Sequence, residues 1–292
     1  MDVRALQYFL TVAREQSISK AAQALHMTQP PLSRQMKELE EELGRPLFLR
    51  GSRRITLTEE GVLLRKRAEE IVELMEKARA EVTQAGEEVG GEVSIGGGET
   101  EGMRLIARVI QKTRETHPKI RFHIFSSYAY DVMERLDKGL IDFGTLIEPV
   151  DLTKYDHLRL PGMDVWGLLM RRDHPLARQA SIRPEDLTDV PILCSRQMLK
   201  ENGLSGWLGR DYETLTIAAT YNLINTPALM VEEGVGCALT LDKLVNTEGS
   251  DILCFRPLEP RLEAGLYLVW KKYQVFTRAA EVFLEQLQQE LP

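Results

Sequence analysis

Gln29, Ser33, Arg34 and Lys37 fall at intervals that place them on one side of a single helix. Together they have the chemistry of a surface that reads a nucleic acid. Glutamine pairs with an adenine edge and arginine with a guanine edge through two hydrogen bonds each, while serine and lysine reach phosphate oxygens. Pro30 stands beside Gln29, and a second basic group, Arg50, Arg53 and Arg54, follows around Gly51-Ser52. Basic side chains on such a turn suit a phosphate backbone or a minor groove. The alternative for this group is a solvated basic loop on a helical domain that binds protein.

These residues need elements that position them. Leu6, Phe9, Leu10 and Ala13 recur at spacings of three and four, which predicts a first helix ended by Gln16-Ser17. Ser19 is expected to cap a short second helix with Ala21, Ala22 and Leu25 inward. The two alanines are small enough for a tight helix crossing. His26-Met27-Thr28 reads as the turn, with Thr28 as N-cap of a third helix that opens on Gln29-Pro30-Pro31. Leu32, Met36, Leu39 and Leu43 form its apolar stripe, and Gly44 ends it. Two short strands, Pro46 to Arg50 and Ile55 to Leu57, then flank the basic turn.

The run Ser17-Ile18-Ser19-Lys20-Ala21-Ala22-Gln23-Ala24-Leu25, the segment Thr28 to Gln35, Leu43-Gly44 before Pro46-Leu47-Phe48, and Leu57-Thr58-Glu59-Glu60-Gly61 resemble, in order and spacing, the amino-terminal domain of LysR-type transcriptional regulators. The match spans about 60 residues without a gap. It implies recognition-helix positions for Gln29, Pro30, Ser33, Arg34 and Lys37, and wing positions for Arg50, Arg53 and Arg54. The expected fold is an α-helical winged helix-turn-helix domain plus a long linker helix, followed by a two-lobed α/β periplasmic-binding-protein-like (type 2) effector domain. The boundaries are read as 1–58, 59–89 and 90–292, with lobe one at about 92–162 and 266–292 and lobe two at about 163–265.

Thr58 is placed to cap the linker helix, expected to run to about Glu87. Leu64, Ala68, Ile71, Met75, Ala78 and Val82 are spaced 4, 3, 4, 3, 4, and the seam extends upstream through Gly61 and Leu57. So narrow a stripe suits pairing of two chains; the alternative is packing on its own domain. Dimerisation would set two reading helices on two half-sites, and pairing of the bodies would make a homotetramer that bends DNA. Gly86 and Gly90-Gly91 mark a hinge.

From Glu92 onward short strands alternate with helices, which predicts mainly parallel sheets covered by helices. Strands are expected at Val93-Ser94-Ile95, Ile120 to Phe125, Ile141 to Leu146, Val165 to Met170, Ile192 to Cys194, Ile217 to Ala219, Ala238 to Leu241, Ile252 to Phe255 and Leu266 to Trp270. Asp142-Phe143-Gly144, the run Arg171 to Leu176 and the segment Val231 to Gly236 extend the resemblance, which implies a small effector bound between the lobes. Candidate effector residues are Gly98, Glu99 and Thr100, in a loop expected over Gly96 to Thr100 ahead of a helix at Met103 to Thr116; Ser195, Arg196 and Thr240 at strand ends; and Asn222 and Thr226 at a helix start. Each has an ordinary alternative as a turn, a cap or a surface residue. Glu99 would repel an anion, which leaves the effector's charge open.

Net charge is −7, unevenly spread: residues 1–67 carry 12 Lys+Arg against 8 Asp+Glu. A basic amino end on an acidic body fits a polyanionic partner there, double-stranded DNA, although ordinary charge scatter gives the same balance. RNA polymerase is a further partner that the resemblance allows. No apolar run is long enough for a membrane span, no secretory signal is evident at the amino end, and Cys194, Cys237 and Cys254 are odd in number and widely spaced, so a reduced cytoplasmic setting is expected. His26, His117, His123, His157 and His174 lack metal-ligand spacing. No nucleophile, phosphate-loop or zinc motif is found, so no catalytic residue, metal or cofactor is expected. A redox role for Cys194 competes with its being a small buried hydrophobe.

Overall fold

A computed structural model describes residues 1–51, 54–83, 89–200, 203–209 and 212–291. The chain folds as two compact units, Met1–Ala85 and Gly86–Pro292.

In the first unit, α1 (Val3–Glu15), α2 (Ile18–Ala24) and α3 (Gln29–Leu43) precede a ribbon of β1 (Phe48–Arg50) and β2 (Ile55–Leu57), then α4 (Glu59–Thr83). Asp2 caps α1 by accepting the Ala5 N–H. Ser17, not Ser19, caps α2: its backbone is extended and its hydroxyl accepts the Lys20 N–H. Ser19 already lies in the first turn, where its hydroxyl donates to Gln29 instead. Leu6, Phe9, Val12, Ala21, Ala22, Leu32, Met36 and Leu39 form the core. Ala21 and Ala22 are fully packed, as a close crossing of α2 requires. Leu43 departs from the expected stripe and is exposed, because α3 stops there at left-handed Gly44 and Leu47 fills the core in its place. The Glu40 carboxylate accepts the Leu47 and Phe48 N–H groups at 2.7 and 3.1 Å, tying α3 to the start of the ribbon.

In the second unit, β3 (Gly91–Gly97), α5 (Met103–Thr116), β4 (Ile120–Ser126), α6 (Ala129–Asp137), β5 (Phe143–Ile147) and β6 (Tyr155–Arg159) build the first lobe. β7 (Asp164–Arg171), β8 (Ile192–Ser195), α7 (Arg196–Lys200), α8 (Gly203–Leu208), β9 (Ile217–Tyr221), α9 (Asn225–Glu232), β10 (Cys237–Leu241), β11 (Leu253–Pro257) and β12 (Glu263–Ala264) build the second. β13 (Leu266–Lys271) and α10 (Arg278–Glu290) return to the first. The sheets run β4-β3-β5-β13-β6 and β11-β7-β10-β8-β9, with β12 on β7. They are mixed rather than mainly parallel. β4-β3-β5 and β10-β8-β9 are parallel trios, but β13 is antiparallel to β5 and β6, and β7 is antiparallel to β10, β11 and β12. The cause is topological: a strand that enters from the other lobe arrives without the crossover helix that enforces parallel direction.

Gly96 and Gly97 also differ from expectation, since they continue strand β3 beside Gly144 and Thr145 and do not form a loop. A Cβ on Gly97 would stand 1.8 Å from Thr145 Oγ1, so the glycines are there for close strand packing. The helix after them spans Met103–Thr116, and Thr100 lies before its start.

Candidate functional site

The exposed side of α3 is built by exclusion. With Leu32, Met36 and Leu39 buried, Gln29, Pro30, Arg34 and Lys37 face outward and Ser33 is half-buried. The side chains of Arg34 and Lys37 are 81% and 71% exposed. Each is held by an acid one turn on, Arg34 by Glu38 at 2.8 Å and Lys37 by Glu41 at 3.3 Å. Exposed pairs of this kind contribute about 0.3–0.5 kcal/mol, so either cation can be exchanged to another anion at little cost. The Ser19 hydroxyl donates to Gln29 Oε1 at 3.2 Å, orienting that amide from α2. In the ribbon, the Gly51 N–H donates to the Arg54 carbonyl and the Arg54 side chain is exposed. Arg53 lies outside the described residues, and Arg50 is described only in its backbone.

The linker helix α4 opens at Thr58, whose hydroxyl accepts the Gly61 N–H at 2.9 Å. The first half of the expected seam is spent inside the unit: Ala68 is in the core, with Leu57, Leu64 and Val72 packed against it. The apolar side chains exposed on α4 are Val62, Leu63, Ile71, Leu74 and Val82. Ile71 and Val82 belong to the expected stripe, and Leu63 and Leu74 lie beside it on the helix surface.

The second unit holds a cleft enclosing about 860 Å³, its open mouth included. That size suits a small organic molecule. Gly98, Glu99, Ser195, Asn222 and Thr240 line it. Thr100, Arg196 and Thr226 do not. Thr100 is buried, receives the Gly102 N–H at 2.9 Å and hydrogen-bonds to Asp164. Burial raises the pKa of that carboxyl, with Thr100 and the Glu101 N–H opposing the shift. Arg196 is exposed, and Thr226 borders a separate hollow with Thr220 and Pro227.

Other lining residues carried no local signal. Ser127, Tyr128, Ile147 and Glu148 come from the first lobe; Trp166, Gln197, Met198 and Tyr221 come from the second. Glu148 Oε1 accepts the Tyr267 hydroxyl at 2.7 Å and Oε2 the Gly265 N–H at 2.8 Å. These two donors, with Arg159 at 3.9 Å, hold its carboxyl below the ordinary range. The Tyr221 hydroxyl donates to the Leu239 carbonyl at 2.6 Å, and burial keeps that phenol protonated. Side chains at the cleft also bond across it: Ile224 N–H donates to Glu99 Oε2 at 3.1 Å, and Ala129 N–H donates to Gln197 Oε1 at 3.2 Å.

A helix-turn-helix with an exposed basic reading face, joined in one chain to a two-lobed α/β unit with a central cleft, defines the class of ligand-responsive DNA-binding regulators. Comparison with known proteins gives the family. Residues 3–62 match the model of the bacterial regulatory helix-turn-helix protein, lysR family, and residues 86–292 that of the LysR substrate binding domain. The HTH-type transcriptional regulator BsdA of Bacillus subtilis (strain 168) is 43% identical over 143 residues, 49% of each chain. The uncharacterized HTH-type transcriptional regulator YvbU of the same strain is 28% identical over 291 residues, covering 98% of this chain and 97% of the relative. The crystal structure of CbnR, a LysR family transcriptional regulator, aligns over 100% of both chains with a TM-score of 0.77 at 19% identity. Full-length CbnR complexed with its target DNA aligns over 99% of both at 0.73 and 20% identity. The chain belongs to the LysR family: it is a DNA-binding transcriptional regulator with an effector-binding domain, not an enzyme.

Proposed function

We propose that α3 enters the major groove with Gln29, Pro30, Ser33, Arg34 and Lys37 at base edges and adjacent phosphates, while Arg50, Arg53 and Arg54 lie along the backbone or minor groove. The observation that carries this reading is the division of α3 into a fully buried stripe and an outward face bearing Arg34 and Lys37. CbnR, similar in fold, is known complexed with its target DNA. Arg34→Ala is expected to weaken binding by about 1–3 kcal/mol and relax sequence preference, whereas Arg54→Ala flattens the salt dependence by about one unit of slope. Anisotropy titrations over a salt series with specific and scrambled duplexes measure both. Equal, sequence-independent losses from the two variants would refute the groove assignment.

In this reading two chains pair along α4, their second units pair again, and the resulting homotetramer bends its operator. Exposed Leu63, Ile71, Leu74 and Val82 support the first step. A small effector bound at Gly98, Glu99, Ser195, Asn222 and Thr240 changes the bend by shifting lobe closure. Its binding is expected to raise the thermal midpoint of the wild-type chain and not that of Ser195→Trp, which fills the cleft. The protein acts in the cytoplasm, where operator and RNA polymerase are met; no helix among the described residues is long and apolar enough to cross a membrane.

A further inference from the structure

The charges of the cleft specify what class of molecule it takes, a step that rests on the reading of the cleft as the effector site. The helices α6 and α9 start at it, and helix starts carry unpaired N–H groups and a dipole that favour negative charge. Both starts are already served by the protein. Glu99, from the first lobe, accepts the Ile224 N–H at the start of α9, and Gln197, from the second, accepts the Ala129 N–H at the start of α6. One N–H at each start is therefore already bonded to a side chain from the opposite lobe.

The remaining charges are acidic. The Glu99 carboxylate has no ion-pair partner among the described residues, and Glu148 and Glu263 also line the cleft. No Lys or Arg is among the lining residues. Arg159 lies 3.9 Å from Glu148, Arg261 pairs with Glu263 at 2.6 Å, and Lys243 acts on Asp164; none of the three lines the cleft, while Lys243 and Arg104 border an adjoining hollow on the other side of Gly98 and Glu99. The walls are apolar and aromatic, with Trp166, Tyr128, Ile147, Met198 and Leu262. Aromatic faces attract cations.

We infer that the effector is a small organic cation, an amine on an apolar or aromatic body, whose ammonium sits against the Glu99 carboxylate. An anion of the same shape would leave water for a poorly solvated cleft, face Glu99 and Glu148, and meet no lining cation. Because Glu99 also bridges the lobes, an ammonium bound there acts at a contact that sets their closure.

The test is equilibrium dialysis of the full chain against phenethylamine, phenethyl alcohol and hydrocinnamate at millimolar concentration, for wild type and Glu99→Gln. Glutamine keeps an acceptor for the Ile224 N–H and removes the charge. The amine is expected to bind wild type at least about tenfold more tightly than the carboxylate, and the preference to vanish in Glu99→Gln. Preferred or equal binding of hydrocinnamate, an amine preference that survives in Glu99→Gln, or no binding by any of the three overturns the inference. Hydrocinnamate that raises the thermal midpoint of wild type but not of Ser195→Trp sinks the cation while sustaining the effector site. A phenethylamine preference unchanged in Ser195→Trp places binding outside the cleft and sinks both readings.

Discussion

At the scale of single residues, the three cysteines settle into one chemistry. Cys194, Cys237 and Cys254 are free and buried in the second lobe. Burial pushes the Cys194 thiol up to about 11 and the Cys237 thiol to about 12, away from the thiolate that attacks peroxide. Native protein at neutral pH is expected to react with a disulfide reagent only as fast as it unfolds; a thiol that reacts at once would contradict this. The same shifts carry a sign for stability. A thiol with a pKa above its unfolded value holds its proton better when folded, so the contribution is complete below about 9 and disappears as pH rises toward 12. The half-buried Tyr221 phenol, whose pKa is raised by desolvation, acts in the same direction. Alkaline titration followed by tryptophan fluorescence should therefore show loss of the second unit over that interval.

At the scale of elements, glycine and helix faces carry the tightest constraints. A Cβ on Gly61 would meet the Leu47 carbonyl oxygen at 2.2 Å, where α4 passes the start of the ribbon. Alanine gains about 1 kcal/mol of helix propensity there. The clash with rigid backbone costs about 1–3 kcal/mol, so Gly61→Ala is expected to destabilise. All three tryptophans, Trp166, Trp207 and Trp270, belong to the second unit. The variant should shift the circular-dichroism transition and leave the fluorescence transition in place. Leu74→Glu, on the exposed sector of α4, is expected to lower the molar mass seen by light scattering. An unchanged mass would refute pairing along that face. This scale is also where the sequence was most readable. The α3 stripe of Leu32, Met36 and Leu39 and the stop at Gly44 follow from spacing and backbone freedom alone. The burial of the upstream half of the α4 seam inside its own unit did not, because Leu64 and Ala68 fit a heptad equally well whether the partner is a second chain or their own domain. Nor did the cleft: Tyr128, Glu148, Trp166 and Gln197 come from distant segments, and only the fold brings them together.

At the scale of the whole molecule, the return of β13 and α10 to the first lobe has a consequence for how the protein is made. β13 lies between β5 and β6, and Phe283 of α10 completes the core formed by Val93, Ile106 and Phe143. A ribosome delivers every other strand of that sheet well before this closing piece. The second lobe, contiguous in sequence, can finish while the first is still an open sheet without the strand that joins β6 to β5. Long-range closure of this kind is slow and leaves strand edges uncovered meanwhile. Completion of the sensor thus waits on β13 and α10: a product truncated before them keeps its helix-turn-helix unit yet lacks a finished first lobe. The demand for a chaperone should fall on the minutes-old protein rather than on the mature one.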